Sequence, residues 1–227
     1  MAMNEAKGYV LEACELYRFY HIGDTETMAL RGVSLHVAAG EMVVVMGPSG
    51  SGKSTLLACL AGLDEPDGGV VSLMGRRLSR RSEPERAAIR AAGIGILLQS
   101  GNLFPHLSVE ENVRLQMRLA HKVDEQRLSA LLEQVGLAHR RHARPGQLSG
   151  GEAARAGLAV ALSSAPPLLL ADEPTGEVDA ETETQLLHLF AAHREAEGAA
   201  LIVTHSQAVA AQADRVVHLH DGRISYE

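Results

Sequence analysis

Three short, uninterrupted apolar runs stand out in the pattern of hydrophobic and polar positions along the chain. They cover residues 42–47, 168–172 and 200–204 and consist mainly of Val, Leu, Ile, Met and Ala. Strands with one exposed face alternate apolar and polar residues, whereas strands covered on both faces are apolar almost throughout. Because helical patterns separate these runs, the sequence predicts an α/β fold built on a buried parallel sheet.

The segments around these runs carry other patterns. Short β-like runs bounded by turn residues, such as residues 30–37, predict a small antiparallel layer near the N-terminus. Residues 107–148 show mostly helical apolar spacing, broken at Gly136 and at Pro145-Gly146. We therefore expect residues 1–227 to form a single domain in which a helical subdomain is inserted at about residues 100–165.

Length, charge and cysteine content narrow the class of protein. The 227 residues suffice for one large α/β domain, and the net charge of −7 disfavours a nucleic-acid partner. No apolar run approaches the roughly 18–20 residues that cross a bilayer, and no secretion signal is visible at the start, so we expect a cytoplasmic protein. The two cysteines, Cys14 and Cys59, lack the spacing of a metal or redox site.

A glycine-rich segment follows the first apolar run and precedes a helical pattern; we call it the phosphate loop. Its residues are Gly47, Pro48, Ser49, Gly50, Ser51, Gly52, Lys53, Ser54 and Thr55. The glycines let backbone N–H groups point at phosphate oxygens, and the start of the next helix adds a partial positive charge. Lys53 would contact the β- and γ-phosphates, and the Ser54 hydroxyl would bind Mg²⁺. The sequence thus predicts a nucleotide-phosphate site rather than a chance turn.

The second apolar run ends in two carboxylates, Asp172 and Glu173. Taken alone, this pattern would fit equally well a strand whose end simply reaches solvent. Together with the phosphate loop, it predicts that Asp172 holds Mg²⁺ and that Glu173 orients or deprotonates the attacking water.

A second pair of glycines lies in residues 148–152, here named the signature segment. Ser149, Gly150 and Gly151 precede a helical pattern at residues 153–162, which is a second arrangement suited to bind an anion. Alone it would be read as a plain helix cap. Since one domain has no need for two γ-phosphate sites, we predict that this segment closes over the nucleotide of a second copy of the chain.

With these motifs, the sequence resembles the nucleotide-binding domain of ABC transporters over nearly its whole length. That resemblance implies a P-loop NTPase core. The motifs stand in the family's order. The resemblance assigns Tyr20 to stack on adenine, and Gln99 to touch Mg²⁺ or water and sense the membrane partner. Residues 174–179 match the D-loop, and the resemblance assigns its last residue, Asp179, to the nucleotide site. His205 matches the switch histidine, which bridges Glu173, water and the γ-phosphate. Lys53, Gln99, Glu173 and His205 are thus the expected catalytic residues.

The resemblance also implies cofactors and partners: ATP and Mg²⁺, a second copy bound head to tail, and a transmembrane permease at the inner face of the membrane. Details such as the residues inserted after Tyr20 are similar to the macrolide-exporter and lipoprotein-release branch. Three departures concern coupling rather than hydrolysis. Glu152 replaces the usual glutamine, Val160 stands where an arginine is expected, and Glu177-Val178 replaces Asn-Leu.

Two alternatives compete with this interpretation. An ABC-type ATPase that acts on DNA or ribosomes would carry a long coiled-coil insertion or a second cassette. The sequence shows no such insertion between Gln99 and Leu148, and it contains one cassette. A small-molecule kinase with a phosphate loop would leave the second glycine pair unexplained. The transporter ATPase is therefore the favoured prediction, whereas the cargo and the direction of transport do not follow from the sequence.

Overall fold

Two sheets organise the chain in the computed structural model, which describes residues 8–22, 25–176 and 178–225. The first is a four-stranded antiparallel sheet with the order β2-β1-β4-β5. Its strands are β1 (Tyr9–Ile22), β2 (Thr25–Ala38), β4 (Gly68–Leu73) and β5 (Arg76–Arg77). It is the antiparallel layer that the N-terminal pattern predicts.

The second sheet has six strands in the order β10-β9-β3-β8-β7-β6. Its strands are β3 (Met42–Met46), β6 (Ile94–Leu97), β7 (Leu168–Asp172), β8 (Ala199–Val203), β9 (Arg215–His220) and β10 (Arg223–Ser225). All neighbours pair in parallel except β9 with β10. The three apolar runs are β3, β7 and β8, each ending within one residue of the predicted limit, so the α/β prediction with a parallel core is confirmed.

Seven helices complete the described part of the chain. They are α1 (Lys53–Leu60), α2 (Glu83–Gly93), α3 (Val109–Leu119), α4 (Glu125–Gln134), α5 (Gly150–Leu162), α6 (Ala180–Glu195) and α7 (Gln207–Ala210). Short 3₁₀ turns at Ala138–Arg140 and Pro145–Gln147 separate α4 from α5. Helices α3–α5 fall within the stretch of about 100–165 in which we predicted a helical insertion; its boundaries stay a prediction.

The six-stranded sheet is covered on both faces, which explains its continuous apolar strands. Alternate residues of β3 enter two separate cores: Val43 and Val45 pack with α1 and the antiparallel sheet, whereas Met42 and Val44 pack with α3–α6. Strand β7 divides in the same way, with Leu168 and Leu170 on the first side. Because successive side chains of a strand point to opposite faces, β3 and the buried part of β7 are apolar on both faces.

Candidate active site

Four parallel strands end at one edge of the six-stranded sheet and bring the predicted residues together there. The phosphate loop follows β3, Gln99 follows β6, Glu173 follows β7, and His205 follows β8. In open parallel sheets, ligands bind at the carboxyl ends of the strands. A cavity of about 760 Å³ lies at this edge. Among the residues that line it are Tyr20, Ser49, Gly50, Gly52, Lys53, Ser54, Thr55, Gln99, Asp172, Glu173 and His205.

The phosphate loop wraps around the Lys53 side chain. Lys53 is only 8% exposed, and its ammonium donates to the carbonyl oxygens of Gly47 at 2.8 Å and Pro48 at 2.9 Å. Gly52 has a φ of 102°, and a Cβ there would lie 2.4 Å from the Ala29 carbonyl oxygen. Only glycine fits such a position. The Ser51 hydroxyl is buried in the loop and has no hydrogen-bond partner within the part of the chain that the structure describes.

Lys53 and the strand-end carboxylates influence each other's charge in the cavity. Burial lowers the pKa of Lys53, and the nearby carboxylates of Glu173 and Asp172 oppose that shift. Burial also raises the pKa of Asp172, although a hydrogen bond from the Ser54 hydroxyl opposes it. Each charged group is thus partly desolvated and stabilised by the other, which is the arrangement typical of functional sites.

Ser54 and Asp172 supply hard oxygen donors next to each other, and Gln99 lines the same cavity. Mg²⁺ prefers such oxygen ligands and usually takes one or two from the protein and the rest from water and phosphates. The residues therefore fit this ion. Among the described residues, no group of three or more His, Cys, Asp or Glu could hold a metal by itself.

The Glu173 side chain is held at the mouth of the cavity by the residues after β8. The Thr204 hydroxyl donates to Glu173 Oε2 at 3.1 Å, and the His205 backbone N–H donates to the same oxygen at 3.2 Å. His205 Nε2 lies 3.6 Å from Glu173 Oε1. Glu173 itself has a φ of 46°, an unfavourable value for a residue with a side chain. Such strain is kept where the surrounding structure fixes it, often at functional sites.

The backbone just before Gln99 is held in place by Asn102, a residue that the sequence patterns did not indicate. Asn102 mimics a β-strand partner of Leu98: its Oδ1 accepts from the Leu98 N–H at 2.7 Å, and its Nδ2 donates to the Leu98 carbonyl at 2.6 Å. Gly157 of α5 lets the asparagine approach, since a Cβ there would lie 3.0 Å from the Asn102 Cβ. Gln99 therefore leaves β6 from a fixed backbone position.

Besides Gly47, Pro48 and Ser51 of the phosphate loop, four predicted residues within the described ranges do not line this cavity: Ser149, Gly150, Gly151 and Asp179. Gly150 lines a neighbouring cavity together with Gln99 and Glu173. The sequence suggested a glycine loop before the helix; that was wrong, because α5 already begins at Gly150. Ser149 is its N-cap, accepting from the Glu152 N–H at 3.2 Å, while Glu152 Oε2 accepts from the Ser149 N–H at 2.8 Å. This reciprocal capping box pulls both glycines into the first turn.

The structure gives two of the departures from the family pattern a local role. Glu152 forms an ion pair with Arg140 at 3.1 Å besides capping α5. Val160 is partly buried and packs against the core on the α3–α6 side. Glu177 lies outside the described residues. Asp179 is the N-cap of α6, where its Oδ1 accepts from the Thr182 N–H at 2.8 Å.

Sequence reasoning missed part of the cavity wall. Asp221 and Gly222 form the turn between β9 and β10 and line the cavity, and the Gly222 N–H donates to the Ser51 carbonyl at 3.0 Å. The Asp-Gly pair is a turn signal that could have located the hairpin. Its contact with the phosphate loop depends on β9 lying beside β3, which the local sequence does not encode.

The strand-end carboxylates, the phosphate loop and the aligned glutamine and histidine define a nucleotide hydrolase of the P-loop class. The chain belongs to the ABC transporter family, whose model matches residues 30–176, and it is an ATP-hydrolysing, ATP-binding subunit of that family. No helix in the described ranges is long and apolar enough to cross a membrane.

Curated relatives are similar over nearly the whole chain. An ABC transporter ATP-binding protein of Thermotoga maritima is 43% identical over 95% of this chain and 93% of that protein. The lipoprotein-releasing system ATP-binding protein LolD of Acinetobacter baylyi is 42% identical over 94% and 96%. The macrolide export ATP-binding/permease protein MacB of Hyphomonas neptunium is 39% identical over 95% of this chain but only 34% of its own length.

Solved structures share the fold. The dimeric, post-hydrolysis structure of the ATP-binding cassette MJ0796 with ADP and phosphate has a TM-score of 0.89 and 32% identity, covering 95% of this chain and 98% of that one. Another dimeric structure of MJ0796 has a TM-score of 0.88 and 34% identity, covering 95% and 96%. The predicted resemblance to ABC transporter ATPases of the macrolide-export and lipoprotein-release type is confirmed.

Proposed function

We propose that two copies of this chain close head to tail around two Mg²⁺-ATP molecules and, by opening and closing, drive a membrane permease. Each ATP would lie on the phosphate loop of one copy and beneath Ser149, Gly150 and Gly151 of the other. The observation that carries the proposal is that Lys53, Asp172 and Glu173 line one cavity, whereas no residue of the signature segment lines it. In a single chain, therefore, only one of the two anion-binding segments, the phosphate loop, lines the cavity.

In this proposal the residues of the cavity divide the work of hydrolysis. Lys53 would leave the Gly47 and Pro48 carbonyls and contact the β- and γ-phosphates, while Tyr20 would stack on the adenine. Glu173 would accept a proton from the attacking water, and Gln99 and His205 would orient that water and the γ-phosphate. Mg²⁺ held by Ser54 and Asp172 would neutralise charge that develops on the phosphates.

The dimer would couple this chemistry to movement. Asp179, at the start of α6, and the signature segment would contact the partner copy when the two chains close. Closing assembles the site and excludes water, and repulsion between the charged products reopens it. The names LolD and MacB and the dimeric MJ0796 structures support this use of the fold. The membrane partner would be a permease that the chain meets at the inner face of the membrane.

The test is a pull-down from native membranes with tagged Glu173→Gln protein and ATP. Removing the base slows hydrolysis by about 10²–10⁴-fold, so this variant should hold ATP and stay bound as a closed dimer to its membrane partner. Mass spectrometry should identify a transmembrane permease. Lys53→Ala protein is the matched control, because without phosphate contacts it should recover much less. Recovery of ribosomal or DNA-bound proteins alone would refute the transport proposal, and full ATPase activity of Glu173→Gln would refute the assigned base.

A further inference from the structure

A compact ion-pair network surrounds Tyr20 on the side away from the cavity. Arg18 donates to both carboxylate oxygens of Asp64, from Nε and from Nη2, at 2.8 Å each. The Tyr20 hydroxyl donates to Asp64 Oδ2 at 2.8 Å. The Arg18 guanidinium also lies over the Tyr20 ring, 4.7 Å from its centroid. Asp64 thus fixes the hydroxyl of Tyr20, and Arg18, held by the same carboxylate, covers one face of its ring.

Neither Arg18 nor Asp64 lines the cavity, whereas Tyr20 does. Since Arg18 covers one face of the ring, the other face is the one available to a ligand. A planar, bidentate arginine–carboxylate pair is rigid, and a cation over an aromatic ring attracts it. The pair therefore holds the ring in place without any contact to the ligand itself.

The network also ties Tyr20 to the helix that carries the phosphate loop. Helix α1 begins at Lys53 and ends at Leu60, and Asp64 lies in the loop that follows. Asp67 in the same loop accepts from Arg18 at 3.0 Å and from the Phe19 N–H at 2.8 Å. The phosphate loop is thus at one end of α1, and the carboxylates that hold the β1 tyrosine are at the other.

The charges in this network remain ionised when partly buried. The Arg18 side chain is 21% exposed. Burial by itself would lower the pKa of Arg18, but its hydrogen bonds to Asp64 and Asp67 raise it. Burial would likewise raise the pKa of Asp64, and the bonds from Tyr20 and Arg18 lower it instead. The ion pair therefore persists at neutral pH.

We propose that Asp64 and Arg18 are positioning residues that set the distance and angle between the Tyr20 ring and the phosphate loop, and thereby give the site its preference for a nucleotide over phosphates alone. The inference rests on the proposed function, in which Tyr20 stacks on the base. Breaking the pair leaves the phosphate loop intact and releases the ring, so nucleotide binding weakens while triphosphate binding does not.

The experiment compares the dissociation constants of Mg²⁺-ATP and of inorganic tripolyphosphate with Mg²⁺, by calorimetry, in the non-hydrolysing Glu173→Gln background. Asp64→Asn should weaken ATP binding about 5- to 20-fold, as expected for a lost charge-assisted contact, and change tripolyphosphate binding less than about twofold. Glu65→Gln is the matched control. It lies beside Asp64 and pairs with Arg86 instead, so both constants should stay at the parent value.

A double-mutant cycle shows whether Asp64 acts through Tyr20. In a Tyr20→Ala background, Asp64→Asn should have no further effect on ATP binding. Tyr20→Phe keeps the ring and removes only the bond to Asp64, so it decides the question if Asp64→Asn fails to fold; its ATP binding should weaken severalfold. Equal losses for ATP and tripolyphosphate, additive effects in the cycle, or unchanged ATP binding in Asp64→Asn or Tyr20→Phe would each overturn the inference.

Failure of the proposed function would look different. If the parent protein bound neither ATP nor tripolyphosphate, the nucleotide site itself would be refuted. If Tyr20→Ala bound ATP as tightly as the parent, the stacking role of Tyr20 would be wrong and the positioning role of Asp64 would fall with it, while the phosphate loop would keep its assignment.

Discussion

At the scale of single residues, the Glu173 side chain depends on its neighbours for its direction. Its backbone is in a left-handed conformation, and its carboxylate is held by Thr204 and by the His205 N–H. Thr204 is fully buried, and its hydroxyl also accepts from the Ser206 N–H at 3.0 Å. One hydroxyl thus connects the ends of β7 and β8 at the point where water would be activated.

Replacing Thr204 with Val should therefore reduce the turnover number more than it affects substrate binding. Valine has nearly the same shape but no hydroxyl, so Glu173 loses one anchor and its base is misplaced. We expect kcat for ATP to fall about 10- to 100-fold, since small misplacements have effects of that size, with KM nearly unchanged. Steady-state ATPase kinetics provide the measurement. Thr204→Ser keeps the hydroxyl and should retain most activity; equal activity of the Val variant would contradict the positioning role.

At the scale of elements, the start of α3 is joined to the segment before the signature segment by one carboxylate. Glu110 pairs with Arg114 of the same helix and accepts from Arg141 Nε at 2.6 Å, and its N–H donates to the Arg141 carbonyl at 3.0 Å. His142 Nδ1 lies 3.8 Å from Glu110 Oε2. The Glu110 side chain is only 13% exposed. Hydrogen bonds from Arg141 and Arg114 hold the pKa of Glu110 below its usual value.

Glu110→Gln should therefore destabilise the protein at neutral pH but not in acid. A folded-state pKa below the unfolded one gives stability above the unfolded value, about 4.3 for glutamate, and this is lost as pH falls through the folded pKa. We expect the free energy of unfolding to drop by about 1–2 kcal/mol at pH 7 and the difference from wild type to shrink below about pH 4.3. Urea denaturation between pH 7 and pH 3.5 measures it.

Glu125→Gln is the control for that series. Glu125 also pairs with Arg114, but its side chain is 57% exposed, and exposed pairs contribute little because water screens them. A loss in Glu110→Gln that stayed the same at every pH would show that shape, and not charge, is responsible.

The start of α5 shows how an unusual residue is accommodated at this scale. Glu152 caps the helix through Ser149 and pairs with Arg140, whose Nη2 also donates to the Gln147 carbonyl at 2.6 Å. The carboxylate thus connects the 3₁₀ turns to α5, and an acidic residue in the first turn is favourable to the helix dipole. Hydrogen bonds from Ser149 and Arg140 accordingly lower the pKa of Glu152.

At the scale of the whole molecule, the proposed site is divided between two chains. Lys53 and Glu173 line one cavity, and Gly150 lies outside it. A Cβ added at Gly150 would meet nothing within 4 Å, so an aspartate there should leave the fold intact while its charge repels phosphate.

Mixing Lys53→Ala protein with Gly150→Asp protein should therefore restore ATPase activity. Each variant alone has two defective sites, but a mixed dimer has one site with both segments intact. With half of the dimers mixed, we expect roughly a quarter of the wild-type activity. The measurement is ATPase activity against mixing ratio, with a maximum near equal amounts. Activity that never exceeds that of the separate variants would mean that both segments act on the same chain.

The fold was largely predictable because its signals are local. A strand covered on both faces must be apolar along its whole length, so β3, β7 and β8 could be located from short runs of sequence. Asp172 ends β7 and Glu173 follows it directly, while the phosphate loop, Gln99 and His205 come within two residues of the ends of β3, β6 and β8. Their convergence follows from the pairing of parallel strands, whose carboxyl ends share one edge.

Other features were decided only by tertiary structure. Arg18 and Asp64 are 46 positions apart, Arg140 and Glu152 are 12 apart, and Thr204 and Glu173 are 31 apart. No local pattern pairs such residues, because their contact depends on how whole strands and helices pack. The sequence by itself determined which residues can carry the chemistry and on which strands they lie. Packing decided how those residues are held, since hydrogen bonds between distant segments form only once the cores on both faces of the sheet have assembled.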